Sequence, residues 1–445
     1  MKRNVVACAV ASALGAFPAT NAHSAGFALH EQGISGLGNG YAGAAAVAED
    51  ATTVWWNPAG MSRLPSGKHF AAAGALIVPS TKFSNGSSTA AAGQSLGGNG
   101  GDAGDAALVP SGFFAMDISP KWNFGLGISV PFGLATKYDA SWLGRFQGID
   151  SEVKTLNINP AVSYKISDQA SVGFGISYQR GEIDLLSAVN WVAAGAAVPA
   201  GVGGPVAVAA GTEGQSKVSL SGEGWGFNIG ALFNVTPATR IGVHYRSSID
   251  YSLDGTLQLS GRPASALLAA VTPDSDVKLD LKTPDNLAIS GAHRLNDRWE
   301  LLADLTWTHW SRIKSIPLVR TSGTLNGATA DTLTFNFRDT WRASIGANYK
   351  VSAPWTLKFG AVYDQSPVPD AASRTVRLPD SDRYWLTVGA KYQMSRAGAI
   401  DFGYGYVKAR NADINHNATA QGRGIVNGTY KAEVHILGIQ YQHTF

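Results

Sequence analysis

From about residue 68 onward, apolar and polar positions alternate along the chain with a period of two, the repeat of a β-strand with two unlike faces. In "WTLKFGAVYDQ", Trp355, Leu357, Phe359, Ala361 and Tyr363 share one face, while Thr356, Lys358, Gly360 and Asp364 share the other. The same parity runs through Trp341, Ala343, Ile345, Ala347 and Tyr349, opposite Arg342, Ser344, Asn348 and Lys350. It recurs in Tyr384, Leu386, Val388, Ala390 and Tyr392, opposite Arg383, Thr387, Lys391 and Gln393. One face is apolar with aromatic ends; the other is polar and glycine-rich.

Soluble sandwiches also alternate, so the connections decide between the two architectures. Six are tight, at 119–121, 167–170, 236–239, 296–298, 352–354 and 395–398, and seven long ones lie between them, near 80–109, 131–152, 190–217, 260–274, 315–332, 365–381 and 411–430. Strict alternation of short and long connections, with an even strand number, is the plan of a transmembrane β-barrel with short periplasmic turns and long extracellular loops. The expected fold is therefore all-β, a 14-stranded antiparallel barrel over residues 68–445. Trp122, Trp225, Trp299, Trp341 and Trp355 follow short turns, and Tyr164 and Tyr349 precede them; all seven are expected in one interface girdle.

Composition narrows the setting. Residues 1–24 have a basic start, a short apolar stretch and the small residues Ala22 and Ser24, the layout of a cleaved secretory signal peptide, which puts the mature start at Ala25. Cys8 is the single cysteine and belongs to the leader, so disulfides and thiol chemistry are excluded. Lys plus Arg number 35 against 32 acids, a near-neutral balance that gives no reason to expect nucleic acid as a partner. The histidines lack metal-ligand spacing, "GLGNG" lacks the strand-helix context of a dinucleotide site, and no nucleophile-base constellation stands out. Neither a cofactor, a metal nor an enzymatic activity is expected.

A fourteen-stranded barrel has a bore wider than its own side chains fill. Residues 25–67 contain the only sizeable non-strand segment on the periplasmic side; they are rich in Gly and Ala and end in Asn57-Pro58-Ala59. They are expected to plug the lumen as a partly helical hatch. In the third strand, "WNFGLGISVPFGLATKYD", Pro131 lacks an amide donor and Gly133 lacks a side chain. A break around Pro131, Phe132 and Gly133 is expected, since proline is ill suited to a central strand. The break is either a lateral opening or merely the start of an extracellular loop.

Three segments, "AGFALHEQGISGLGNGYAGAAAVAEDATTVWWNPAG", "VPFGLATKYD" and "YDQSPVPDAASRTVRLPDSDRYWLTVG", resemble the FadL family of outer-membrane long-chain fatty acid transport proteins, whose relatives include uptake channels for aromatic hydrocarbons. The resemblance covers essentially the whole mature chain. It implies a barrel closed by an amino-terminal hatch, a kinked third strand opening sideways to the membrane, and a hydrophobic groove on the third and fourth extracellular loops.

Site residues are expected on these grounds. The loops at 190–211 and 263–272 carry almost no charge, so Trp191, Val192, Leu267, Leu268 and Val271 are expected to line the capture groove, unless the two loops only pack on each other. Arg338, Asp364 and Arg383 fall on lumen parity near the extracellular end of three successive strands. The two arginines would receive a carboxylate and Asp364 would orient them, or all three would only stiffen the wall. Asn57, Pro58 and Ala59 are expected in the hatch and its gating. Leu185 stands where the resemblance suggests a further basic residue, which leaves the choice between fatty acid and monoaromatic hydrocarbon open. The expected function is passive, ligand-gated uptake of long-chain fatty acids across the Gram-negative outer membrane. A general porin and a barrel hydrolase are the alternatives of other classes. Expected partners are the hydrophobic ligand, outer-membrane lipid and lipopolysaccharide, and the barrel assembly machinery through the terminal Phe445; the protein is expected to be a monomer.

Overall fold

The structure is a computed structural model that describes residues 26–445; the leader expected at 1–24 and the mature start at Ala25 lie outside the described residues. Fourteen staves close into one antiparallel barrel. They are β1 Lys68–Asn85, β2 Ala107–Asp117, β3 Trp122–Ser129 with Gly133–Lys137, β4 Asp150–Lys165, β5 Ala170–Asn190, β6 Glu213–Thr236, β7 Thr239–Arg246 with Asp250–Ser260, β8 Ser275–Lys282 with Asn286–Arg294, β9 Trp299–Thr308 with Ser315–Arg320, β10 Thr329–Thr334 with Thr340–Lys350, β11 Trp355–Asp364, β12 Arg383–Gln393, β13 Gly398–Ala409 with Ala412–Asn417, and β14 Ile425–Thr444. β14 pairs with β1 from His69↔Thr444 to Asn85↔Gly428, so no edge remains.

The apolar face points outward, but only over the part of each stave that lipid covers. Leu437 and Ile439 are exposed on β14 and Phe445 just beyond its end, as are Phe359 on β11 and Leu386 and Val388 on β12. Towards the extracellular end the parity inverts. Val218, Leu220, Leu253, Leu257, Val277 and Leu279 turn inward and are buried, while Asp250, Asp254, Asp276 and Asp280 face out. The inversion has a solvent cause: above the membrane the outside is water, so apolar side chains gain by facing the lumen.

Two aromatic belts mark the boundaries. The periplasmic belt holds cross-strand pairs Trp122–Tyr164, Trp299–Tyr349 and Trp355–Tyr392, with ring centroids 4.8, 4.5 and 4.6 Å apart. Trp225 and Trp341, expected in that belt, lie in the extracellular one. Trp225 packs against Tyr178 with tilted rings 5.0 Å apart, and Trp341 is in register with Trp307. Strand length misled the reading: β6 has 24 residues, so Trp225 is far from either turn.

Inside the bore, the hatch is irregular: a 3₁₀ turn Leu37–Asn39, α1 Ala44–Val47, α2 Thr53–Trp56 and a 3₁₀ turn Pro58–Arg63. Such short elements leave many backbone carbonyls without internal partners, and wall side chains supply them. Lys358 donates to Ser35 O at 2.7 Å, Arg342 to Gly40 O at 2.9 Å, Arg240 to Val47 O at 2.7 Å and Arg246 to Trp55 O at 2.9 Å. Arg246 also covers the Trp55 ring at 3.5 Å. Backbone approach is close: a Cβ added at Gly346 would lie 2.6 Å from Asn39 O, and one at Gly403 would lie 2.8 Å from Leu37 Cβ.

Asn57 caps the last turn by accepting from Ala59 N at 3.1 Å, and donates to Ala45 O at 2.8 Å and Ala231 O at 3.0 Å. Ser171 donates to Ala59 O at 2.9 Å. Asn57, Pro58 and Ala59 are thus buried against β5 and β6.

Valine at Gly346 or Gly403 should therefore prevent the hatch from seating while leaving the outer wall intact. Planar-bilayer recordings of either variant should show ion conductance well above the parent's, and a folded variant with parental conductance would contradict a seated plug.

Candidate functional site

A second fastening ties the hatch to the periplasmic half of β11–β14. Lys358 Nζ lies 2.7 Å from Glu49 and 3.1 Å from Asp401, and Lys391 Nζ lies 3.3 Å from the other Glu49 oxygen. Gln440 donates to Asp50 at 2.8 Å and accepts from Ile34 N at 2.8 Å. Burial alone would raise the Glu49 carboxyl, but the Lys358 and Lys391 ammonium groups hold it at about 2. A depressed carboxyl adds stability that is complete above its ordinary value of 4.5 and is lost as pH falls towards about 2.

Above the hatch lies a cavity lined by Leu29, His30, Tyr41, Trp55, Pro131, Phe132, Ile249, Trp310, Arg342 and Asp364. It continues into an apolar cluster of Ile183, Leu253, Leu279, Trp310, Ile313 and Phe337. The first described hatch residues occupy this space. Phe27 packs edge-on against Trp310 at 4.9 Å and lies 5.5 Å from Phe132, while Gly26 N donates to Asp380 at 2.9 Å.

At the wall side of the cavity, Asp364 is in register with Arg342 on β10 and Arg383 on β12, and all three are buried. Arg383 pairs with Asp380 at 2.6 Å. Arg342 Nε, Arg383 Nε and Trp385 Nε1 are buried donors without hydrogen-bond partners among the described residues, an uncommon condition for buried polar atoms. Hatch residue Glu31 is the counterpart: both its carboxylate oxygens are buried without partners, and burial pushes its carboxyl up to about 7.

Of the expected receivers, Arg383 and Asp364 come together and Arg338 does not. β10 is interrupted between Thr334 and Thr340, which breaks parity counting. Arg338 therefore points outward, half exposed, 3.7 Å from Asp382, with its Nε donating to Ser366 O. Arg342, four residues and two parity steps closer to the hatch, stands in the lumen instead. Its parity had placed it there, but no counting rule could distinguish it from Arg338 without the interruption.

The loop residues follow the second of the two arrangements expected for them, packing between the loops. Trp191 and Leu268 are fully buried, and Val192, Leu267 and Val271 are half-buried, so an open groove of these five is corrected to a packed loop contact. Asn190 and Ser265 cap the short helices Trp191–Ala196 and Ala266–Val271. Trp191 Nε1 donates to Ser260 O at 3.3 Å, Val192 abuts Gly93, and Leu267 abuts Gly203. The open concavity at the extracellular mouth is lined instead by Ala194, Ala197, Thr272, Phe335, Arg377, His416 and Arg423.

Strand β3 is interrupted at 130–132. Its lower piece pairs with β4 up to Ser129↔Asn157 and its upper piece resumes at Gly133↔Lys154. Pairing of β2 with β3 ends at Gly112↔Ile128. The hatch arm fills the interruption as a short antiparallel strand: Leu29 N donates to Pro131 O at 2.8 Å, Gly133 N to Phe27 O at 2.9 Å, and Ala28 bridges Phe132. Gln32 and Thr155 side chains satisfy Val130 and Phe132.

Acidification should loosen the Glu49 fastening. Protease cleavage within the hatch of the reconstituted protein should accelerate as pH falls from about 4.5 towards 2; a Glu49→Gln variant should lose most of that acid response.

Comparison with known proteins agrees with this architecture. A family described as outer membrane protein transport protein (OMPP1/FadL/TodX) matches residues 15–445. The long-chain fatty acid transport protein of Escherichia coli K12 is 29% identical, with 92% of this chain and 94% of that protein aligned. A crystal structure of a Pseudomonas aeruginosa FadL homologue superposes with a TM-score of 0.87 at 26% identity, covering 95% of this chain and 100% of that one. The Ralstonia pickettii toluene transporter TbuX shares the fold, with a TM-score of 0.67 at 22% identity over 94% of this chain and 100% of that one. The chain is an outer-membrane β-barrel belonging to the FadL/TodX family of transporters of hydrophobic compounds.

Proposed function

We propose that this protein is a passive outer-membrane transporter of long-chain fatty acids rather than an enzyme or an open porin. The observation that carries the reading is the set of buried, unpartnered donors on Arg342, Arg383 and Trp385 beside an apolar lumen cluster. An acyl tail needs the second and a carboxylate needs the first. The E. coli relative named for long-chain fatty acids supports the same choice. A monoaromatic hydrocarbon would use the apolar cluster but would leave the three donors unsatisfied.

Each buried methylene contributes about 0.8 kcal/mol, so a sixteen-carbon tail gains on the order of 10 kcal/mol, and release requires a second state of lower affinity. In this reading the hatch arm provides it. Phe27 lies where a tail would bind, and the same arm supplies the strand that stitches Pro131 and Gly133. Cargo that displaces Phe27 withdraws the stitch, and the bound molecule leaves sideways into lipid at the β3 interruption. Asn57, Pro58 and Ala59 act as the fixed anchor, with Pro131, Phe132 and Gly133 as the exit. Capture begins in the mouth concavity between the loops. The protein acts as a monomer, and the exposed Phe445 is the handle for barrel assembly.

Binding of oleate and of toluene to the purified protein tests this directly. Oleate should bind in preference, and Arg342→Ala or Arg383→Ala should weaken oleate about tenfold or more while leaving toluene unchanged. Equal loss for both ligands, or no loss for oleate, would defeat the carboxylate assignment.

A further inference from the structure

On the outer surface, directly above the extracellular aromatic belt, charge is unevenly distributed around the barrel. Tyr384 in that belt is in register with Lys408, and Tyr406 with His435. From this height outward, β10–β14 and β1 present Arg338, Lys408, Arg410, Lys431 and Lys82 to the exterior. Three carboxylates share the row. Arg338 and Arg410 approach one Asp382, at 3.7 and 3.8 Å. Lys408 takes Glu433 at 3.0 Å, and Lys82 lies 3.8 Å from Asp102. Lys431 has no acidic partner among the described residues and stands directly opposite Lys82 across the β1–β14 ladder. The next carboxylate, Asp413, lies a register step further from the membrane and accepts from Thr429.

Like charges directly opposite on neighbouring strands are destabilising, and two arginines on one carboxylate leave guanidinium donors to spare. Both features are relieved by an external anion at headgroup height. The other side of the barrel has the opposite character: on β7 and β8, Asp250, Asp254, Asp276 and Asp280 face outward against Lys278 and Lys282. The basic row is therefore not continued on β7 and β8.

We propose that the outward face of β10–β14 and β1 is a binding site for lipopolysaccharide, with Arg338, Arg410, Lys408, Lys431 and Lys82 holding the phosphates of its lipid A headgroup. The outer leaflet of this membrane is built of that phosphorylated lipid, whose acyl chains would lie along the apolar staves below Tyr384 and Tyr404. Arginine and lysine suit phosphate through charge-assisted hydrogen bonds, and an acceptor between Lys82 and Lys431 turns their repulsion into a shared contact. The site is separate from the lumen pocket and does not depend on which hydrophobic compound is carried.

Native mass spectrometry of the detergent-purified protein tests the proposal with three lipids: bis-phosphorylated lipid A, enzymatically dephosphorylated lipid A, and phosphatidylethanolamine. The parent should retain the phosphorylated lipid A in preference to the other two. A Lys408→Ser, Arg410→Ser, Lys431→Ser variant should lose about tenfold or more of that retention, whereas Lys278→Ser, Lys282→Ser on the opposite face should keep it. Equal retention of phosphorylated and dephosphorylated lipid A by the parent protein overturns the site without recourse to any variant. Parental retention by the triple variant, or equal loss in both variants, overturns its location.

Discussion

The hatch depends on hydrogen bonds that its own backbone cannot make. Its helices are four-residue pieces and 3₁₀ segments of three and six residues, so buried carbonyls would be orphaned without outside donors, at a cost of roughly 1–3 kcal/mol each. Four wall cations, Lys358, Arg342, Arg240 and Arg246, supply donors to Ser35, Gly40, Val47 and Trp55. That arrangement explains the charged, glycine-rich lumen face: glycines let the hatch backbone come close and cations reach its carbonyls. Because the contacts run from Ser35 onward, the segment before them is held differently, by a β-bridge, a few side-chain bonds and one aromatic cluster.

Much of the barrel was legible in the chain because lipid imposes a rule that recurs in every stave. The outward parity of Leu437, Ile439, Phe359 and Leu386 is the parity observed, and the six tight turns fall where strands end. The rule failed where its cause ended. Above the membrane the apolar side chains turn inward, and Trp225 and Trp341 moved from one belt to the other because staves differ in length and several are interrupted. Alternation records which solvent lies outside, and it carries no mark of the height at which that solvent changes.

The site was less legible. Arg383 and Asp364 were placed correctly in the lumen because β11 and β12 are uninterrupted there, whereas Arg338 was misplaced by a gap in β10 that contains no proline. Glu31 and Trp385 gave no sequence signal as site residues, since the hatch has no periodicity and Trp385 shares its face with ordinary lumen positions. The apolar loops misled in another way. Low charge signalled burial, and the burial is satisfied by loop packing around Trp191 and Leu268.

The central claim is that the arm from Phe27 to Gln32 both occupies the lumen pocket and closes the interruption in β3, so that binding and exit are one event. Ala28 and Phe132 form an antiparallel bridge, and such a pair has the Cα spacing a disulfide requires. The described residues, 26–445, contain no native cysteine to interfere. Uptake of labelled oleate by cells carrying Ala28→Cys with Phe132→Cys should be abolished under oxidising conditions and restored on reduction. Undiminished uptake with the crosslink formed would show that cargo passes without moving the arm, and would contradict the account.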